Sequence, residues 1–287
     1  MIHQLNLQGK DKVEIAIERI KMFEPEDGYW LAFSGGKDSC LIKALADMAG
    51  VKYEAHYSVT GIDPPELVRF IKAQHPDVIW DVPRDRGGCR ITMWSLIPKK
   101  KMPPTRIVRY CCEALKESHG LGRLTMTGVR WAESANRKNT QGGITLYDKT
   151  ALKLIEEEMD EYDYRITSKG GVVLRLDNDE SKRMVEMCYK THKTVFNPVI
   201  DWTDDEVWEF LKEYHIPYCE LYDQGARRLG CIGCPMSTQQ QQELERYPKY
   251  KNLYMQAFAK MIDARKDAGL EVAWQTPQEV MDWWTKK

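Results

Sequence analysis

Two periodicities divide the first half of the chain. From Asp11 to Met22 the apolar residues Val13, Ile15, Ile17, Ile20 and Met22 fall in a helix-like pattern, which predicts a lead-in helix. Tyr29 to Phe33 is an uninterrupted apolar run that predicts a buried strand. Ser34 to Asp38 is a tight polar turn, and from Ser39 a helix follows with Leu41, Leu45 and Met48 on one face. The alternation continues with a strand over Tyr53 to Val59, a helix over Pro65 to His75 entered through Asp63-Pro64-Pro65, and a strand over Val78 to Val82. Leu124 to Gly128 makes a fourth strand. Strands alternating with helices predict an α/β fold: a parallel twisted sheet with helices on both faces. In such sheets ligands sit beyond the carboxyl ends of the strands, where the Ser34 turn and Thr60-Gly61 both fall.

Elsewhere the pattern is less regular. Pro83 to Arg109 is broken by Gly87, Gly88, Pro98, Pro103 and Pro104, and predicts a long loop with one helical turn at Thr92 to Leu96. Cys112 to Ser118 predicts a short helix. Residues 138–194 are the least legible and are taken as an insertion, with a helix over Leu152 to Met159 and a strand over Gly171 to Leu176. Asn197 to Trp202 predicts a short edge element, and Thr203-x-x-Glu206 is a capping box for a helix carrying Val207, Phe210 and Leu211. Ile216 to Gly230 is loop. Tyr247, Tyr250, Tyr254, Phe258 and Met261 lie at helical spacing, a stripe better read as core than as a base-stacking platform. Pro277 opens a last helix with Trp283 and Trp284. The expected organisation is one domain over 1–237, carrying the 138–194 insertion, and a helical C-terminal extension over 238–287.

Composition narrows the function classes. With 287 residues and a formal net charge of -1, the surface as a whole does not attract nucleic acid. Lys99 to Lys101 is a local basic run of the kind usually found on solvated loops. Met1 to Lys12 lacks a secretory pattern, and no apolar run is long enough to span a bilayer. A cytoplasmic protein without membrane partners is expected. Its eight cysteines are then better read as metal-binding, catalytic or buried thiols than as disulfides.

The sharpest local signal is Ser34-Gly35-Gly36-Lys37-Asp38-Ser39, between a strand and a helix. This geometry aims backbone N–H groups and a helix N-terminus at one spot and favours an anion such as phosphate. Gly35 and Gly36 allow close approach, and Ser34 and Ser39 add hydroxyls. Arg130 and Arg137 follow the end of the fourth strand, where guanidiniums can pair with phosphate or sulfate; the plainer alternative for them is surface pairing with Glu133.

The cysteines supply a second signal. Cys111-Cys112 and Cys231-x-x-Cys234 are two pairs far apart in sequence. They could bind a structural zinc ion. Adjacent residues, however, rarely aim both sulfurs at one small tetrahedral ion, whereas a 4Fe-4S cluster offers four separate iron corners. Cys188 is the contender if one of the adjacent pair is not a ligand. Lys116, four residues after Cys112, could set a cation beside the cluster or a substrate phosphate, although spacing alone favours a solvated lysine. Cys40 reads as an inert core thiol. Cys89 lies between Arg86 and Arg90, where positive charge would favour a nucleophilic thiolate.

These motifs together resemble the PAPS/APS reductase family of the PP-loop ATP pyrophosphatase superfamily. The matching pieces are Ser34 to Ser39, Thr60-Gly61 with Pro65-Glu66, Arg109-Tyr110-Cys111-Cys112 with Lys116, Gly128-x-Arg130-x-x-Glu133-Ser134-x-x-Arg137, Asn197-Pro198-x-x-Asp201-Trp202, and Leu221-Tyr222-Asp223-x-Gly225 through Cys234. The four cysteines look like the cluster-bearing branch. The resemblance implies an adenine nucleotide, either ATP or the sulfonucleotides APS and PAPS, held by residues 34–39, Thr60, Gly61, Arg130 and Arg137 next to a 4Fe-4S cluster on Cys111, Cys112, Cys231 and Cys234, with Lys116 bridging the two. The family's reductases use a nucleophilic cysteine in a C-terminal tail, whereas the last cysteine here is Cys234. That departure points to ATP cleavage with Mg²⁺, adenylation of an acceptor and sulfur transfer. The cysteine pattern points to sulfonucleotide chemistry. The implied partners are a sulfur donor or an electron donor such as thioredoxin, nucleic acid only as a thiolation acceptor, and a second copy of the chain in a homo-oligomer. A non-catalytic nucleotide-binding accessory protein with a structural zinc site is the rival from another class.

Overall fold

The fold is taken from a computed structural model that describes residues 2–5, 9–117, 119–133 and 194–286, together with the backbone of three short strands at 144–145, 164–166 and 172–174. In chain order the elements are α1 (Lys12–Met22), β1 (Tyr29–Ala32), α2 (Lys37–Ala49), β2 (Tyr53–Ser58), α3 (Pro65–Gln74), β3 (Ile79–Asp81), α4 (Met93–Lys100) and α5 (Tyr110–Cys112), which runs on as a π-helical turn over Glu113–Glu117. They continue with β4 (Leu124–Met126), a 3₁₀ turn at Trp131–Glu133, β5 (Ile144–Thr145), β6 (Tyr164–Ile166), β7 (Val172–Leu174) and β8 (Thr194–Phe196). Helices α6 (Asp204–Glu213), α7 (Gln240–Arg246), α8 (Pro248–Asp267) and α9 (Pro277–Thr285) complete the chain.

The α/β class follows from the sheet, whose strand order is β3-β2-β1-β4-β8-β5. β1 pairs in parallel with β2 and β4, and β4 in parallel with β8. β5 closes that edge antiparallel to β8. β1 is therefore central, and its residues Tyr29, Trp30 and Leu31 are buried as a parallel strand covered on both faces requires. β6 and β7 form a separate antiparallel pair, and β7 falls inside the strand expected over Gly171 to Leu176. The helix expected over Leu152 to Met159 lies outside the described residues.

Contacts gather the chain into two units. The first comprises 1–57, 70–79 and 120–222; the second comprises 58–69, 80–119 and 223–287. The first contains β1, β4, β8, α1, α2 and α6. The second has its own core, in which Met93, Leu96 and Ile97 of α4, Leu115, Ile232, Leu244, Tyr254, Phe258 and Met261 of α8, and Trp284 of α9 pack together.

Two expectations need correction. The predicted edge element Asn197 to Trp202 is a turn, and the strand lies just before it, at Thr194–Phe196, inside the sheet between β4 and β5. A three-residue strand is too short to show a period of two. The single helical turn expected at Thr92 to Leu96 is a longer helix, α4, extending to Lys100 with Pro98 inside it. Thr92 and Ser95 cap each other reciprocally, and burial of Met93, Leu96 and Ile97 outweighs the hydrogen bond that Pro98 cannot donate.

Candidate functional site

The first unit holds the glycine loop that the sequence marks as a candidate anion cradle. β1 ends at Ala32, Phe33 N–H is fixed by the His56 carbonyl at 2.9 Å, and the chain turns through Ser34-Gly35-Gly36 into α2. Gly35 has φ +72°, the left-handed region that a side chain would strain. Gly36 is the N-cap of α2 and supplies no side-chain cap. The amide of Lys37 instead donates to the hydroxyl of Tyr222 at 3.0 Å, a contact 185 residues away in sequence. Burial pushes the Tyr222 phenol up, so it stays a neutral hydroxyl at physiological pH. Trp208 of α6 holds that ring edge to face, with centroids 5.1 Å apart. The hydroxyls expected as ligand donors brace the loop: Ser39 Oγ donates to the Gly36 carbonyl at 2.8 Å, and Ser34 Oγ donates to Ser39 Oγ at 3.4 Å.

A four-charge cluster backs the cradle. The Arg130 side chain is 1% exposed. Its Nε donates to Asp38 Oδ1 at 2.8 Å, Nη1 to the Trp202 carbonyl at 3.1 Å, and Nη2 to Asp204 Oδ1 at 2.5 Å. Lys37 Nζ lies 3.1 Å from both Asp38 and Asp204. The guanidinium is thus engaged by Asp38, Trp202 and Asp204, while the Arg130 backbone N–H donates to Glu133 at 3.1 Å. Gly128 lets β4 reach this place, because a Cβ there would lie 2.7 Å from the Asp38 carbonyl oxygen. Arg137 lies outside the described residues.

The second unit brings the four cysteines to one cavity. Cys111, Cys112, Cys231 and Cys234 line about 350 Å³ of space, part of it open to solvent, with Lys116 and the apolar Ile62, Met93, Leu115 and Tyr254. Cys231 and Cys234 sit on a turn closed by a bond from Cys234 N–H to the Cys231 carbonyl at 3.2 Å, with Gly233 at φ +70°. Tyr254 Oη donates to the Ile232 carbonyl at 3.0 Å, and Glu243 accepts from Gly233 N–H at 3.0 Å, so the turn is pinned on both sides. The π-helical turn after Cys112 widens the helix where Lys116 must reach the cavity. Cys112 is drawn below the usual thiol range, first because Cys111 donates a hydrogen bond to it and then by the charges of Lys116 and Arg109. Burial pushes Cys231 up to about 12, against the pull of the Lys116 ammonium beside it. Among the described residues no three Cys, His, Asp or Glu side chains group tightly enough to share one metal ion.

Thr60 and Gly61 belong to this second unit. Thr60 Oγ1 donates to Asp63 at 2.7 Å and accepts from Ile62 N–H at 3.2 Å, and Gly61 has φ +75°. Cys89 is exposed on the loop where Arg84 and Arg90 pair, its N–H held by Asp85 at 2.9 Å, and it does not line the cysteine cavity. Cys40 is 1% exposed and burial pushes its thiol up to about 12, as befits a core thiol. Cys188 lies outside the described residues.

The phosphoadenosine phosphosulfate reductase domain model matches residues 28–237, a stretch that contains the loop, both arginines and all four cavity cysteines. The chain belongs to that family. Among its relatives, an uncharacterized protein of Methanocaldococcus jannaschii is 25% identical over 84% of this chain and 48% of its own length. The adenosine 5'-phosphosulfate reductase of Oceanobacillus iheyensis is 37% identical over 21% of each protein. The chain thus matches about half of the first relative and about a fifth of the second. Among solved structures, a PAPS reductase from Candida auris has a TM-score of 0.41 at 13% identity, covering 75% of this chain and 87% of that one. A U34-tRNA thiolase from Methanococcus maripaludis with a [4Fe-4S] cluster has a TM-score of 0.36 at 13% identity, covering 93% and 86%.

Two residues at the loop carry no local signal of their part in it. Tyr222 lies in Leu221-Tyr222-Asp223-x-Gly225, where nothing local shows that it meets residue 37. Asp204 follows a capping threonine, where an acid reads simply as a favourable first-turn residue.

Proposed function

We propose that this member of the PAPS reductase family is an enzyme of sulfur chemistry that binds an adenine nucleotide, ATP or a sulfonucleotide, through residues 34–39. The observation that carries the proposal is the start of α2. A glycine loop at the carboxyl end of the central strand delivers an N-terminus whose cap residue brings no side chain, and two buried cations stand behind it. Backbone amides of that loop would hold the charged phosphate or sulfate tail without reorganising as charge shifts there.

With ATP, an acceptor oxygen attacks the α-phosphorus, the bond to the bridging oxygen breaks, and pyrophosphate leaves into the loop; a bound Mg²⁺ would supply further charge neutralisation there. With APS or PAPS, a thiolate attacks sulfur, the sulfur–oxygen bond to phosphate breaks, and the nucleotide monophosphate or bisphosphate leaves. In both, the loop holds the phosphates while the bond beside them breaks. Thr60, Gly61 and Arg137 are proposed as further nucleotide contacts, and Cys89 as a thiol whose role is open to test.

The cysteine cavity is proposed to hold a 4Fe-4S cluster. Four thiols line one space with apolar walls and a lysine cation beside them, a donor set that suits four irons. Such a cluster would supply electron or sulfur chemistry; Lys116 would steady the charge of its thiolates.

Anaerobic purification with iron, sulfide and zinc analysis, followed by titration with ATP, APS and PAPS, tests both parts. Binding of one nucleotide at micromolar concentration, with about four irons per chain, is expected. Release of pyrophosphate from ATP, or of sulfite from a sulfonucleotide when a dithiol is supplied as the two-electron reductant that frees it from the S-sulfo adduct, then assigns the reaction. Failure of all three nucleotides to bind overturns the loop reading, and one zinc per chain overturns the cluster.

A further inference from the structure

We propose that the Asp204 carboxylate is a displaceable stand-in for the ligand's anion: it occupies Lys37 and Arg130 in the free protein and yields them when phosphate or pyrophosphate enters. The proposal rests on the reading of residues 34–39 as a nucleotide loop and names the residue that regulates access to it.

The four groups divide unevenly. Arg130 and Lys37 are 1% and 7% exposed in their side chains, so neither cation can stand without an anion. Asp38 is 26% exposed and sits in the first turn of α2, where it pairs with both. Asp204 also pairs with both, yet its side chain is 67% exposed. Two cations thus face two carboxylates, one fixed in the loop helix and one reaching in from solvent. With Asp204 withdrawn the cluster carries one net positive charge, and the two cations lose a shared oxygen at 2.5 and 3.1 Å. A phosphate oxygen matches that vacated position in charge and in hydrogen-bond geometry.

Asp204 can leave at modest cost. It is the first residue of α6, after the capping Thr203, so its carboxylate still faces the positive end of a helix when it turns to water. Asp38 holds Arg130 Nε at 2.8 Å independently of Asp204, so withdrawal of Asp204 would not leave the buried guanidinium wholly unpaired. The exchange replaces one anion by another on the same pair of cations, a trade that favours a ligand carrying two or more charges.

The full-length chain is titrated calorimetrically with inorganic pyrophosphate and with ATP, as wild type, Asp204→Asn and Asp205→Asn. Removing the competitor raises pyrophosphate affinity about tenfold or more in Asp204→Asn, while Asp205→Asn, which drops an equal charge one residue on, stays within twofold of wild type. A purely structural role for Asp204 moves affinity the other way. Equal or weaker pyrophosphate binding by Asp204→Asn, with wild type binding ATP, overturns the exchange and leaves the loop reading standing. No binding of either probe by any of the three overturns the loop reading and the exchange with it. Should Asp204→Asn fail to fold, a crystal structure of the wild-type chain with pyrophosphate decides: Asp204 turned away from Arg130 supports the exchange, and Asp204 still on Arg130 Nη2 with pyrophosphate bound overturns it.

Discussion

Gly128→Ala tests whether the end of β4 positions the nucleotide loop. A Cβ at residue 128 would lie 2.7 Å from the carbonyl oxygen of Asp38, 2.9 Å from its carbonyl carbon and 3.0 Å from its Cβ. Ordinary contacts of this kind begin near 3.4 Å, so the backbone at Asp38 or at β4 must move by about half an ångström or more. No flexible side-chain tip can absorb the clash, since two of the three atoms are main chain. Overpacking of this sort costs about 1–3 kcal/mol. For a chain of this size that lowers Tm by about 2–8 °C. The displaced atoms belong to the first turn of α2, so the amides of the cradle and the 2.8 Å bond between Asp38 and Arg130 shift with them. ATP affinity should fall by about tenfold or more, as expected when a charged hydrogen bond is misaligned. Gly230→Ala is the control, because its Cβ would meet nothing within 4 Å. The measurements are thermal unfolding and calorimetric titration of both variants. Gly128→Ala with an unchanged Tm and ATP affinity within twofold of wild type would show that residue 128 does not set the loop.

Three further outcomes are expected. Gly36→Ala puts a methyl group at 3.4 Å from Ser34 Oγ and from Tyr222 Oη, a contact the free protein tolerates, so Tm should hold within about 2 °C while ATP binding weakens because the methyl intrudes on the cradle; a parallel loss of both would mean the position is structural. Tyr222→Phe removes the oxygen that accepts from Lys37 N–H and should cost about 1 kcal/mol in thermal or urea unfolding, a loss that saturating ATP reduces if the ligand takes over that amide. Stability should fall with pH through His75, which burial beside Phe33, Phe70 and Cys40 holds down to about 4, with Lys43 pushing the same way and Asp77 and Asp47 opposing. The unfolded chain takes up a proton near pH 6.5 and the folded one only near 4, so this contribution is complete above 6.5 and is lost as pH drops between those values; it amounts to about 2 kcal/mol after allowance for solvent near the ring, and His75→Gln should flatten that part of a urea-unfolding pH profile.

What the sequence disclosed was decided by range. The loop at 34–39 was legible because its chemistry is contiguous: strand, glycines and helix start follow within a dozen residues. The capping box at Thr203 and Glu206 was legible for the same reason, and both of its hydrogen bonds are present. The four cysteines could be paired by type because few other roles suit adjacent thiols with a second Cys-x-x-Cys, and they do line one cavity. The π-helical turn that carries Lys116 had no signature, since its widening is a response to packing. β8 was lost because three residues between an unreadable stretch and Asn197-Pro198 carry no periodicity. Pro98 reads in the sequence as a break in a loop, although Thr92, six residues earlier, supplies a cap strong enough to carry a helix through it.

The partners of the buried cations show why motif reading stops short of mechanism. Arg130 was singled out because arginines after a strand end meet anions, and the anions it meets here are Asp38, 92 residues away, and Asp204, 74 residues away. A guanidinium buried to 1% exposure demands counter-charge before any ligand arrives, so the folded chain has to provide it from within. On the proposed exchange, an anion arriving beside Lys37 competes with a carboxylate already in place, and its affinity is the difference between two similar interactions. On the proposed exchange, a cradle built this way would bind weakly charged anions poorly and multiply charged ones well, which is the discrimination that would separate a nucleotide's phosphate tail from monovalent anions.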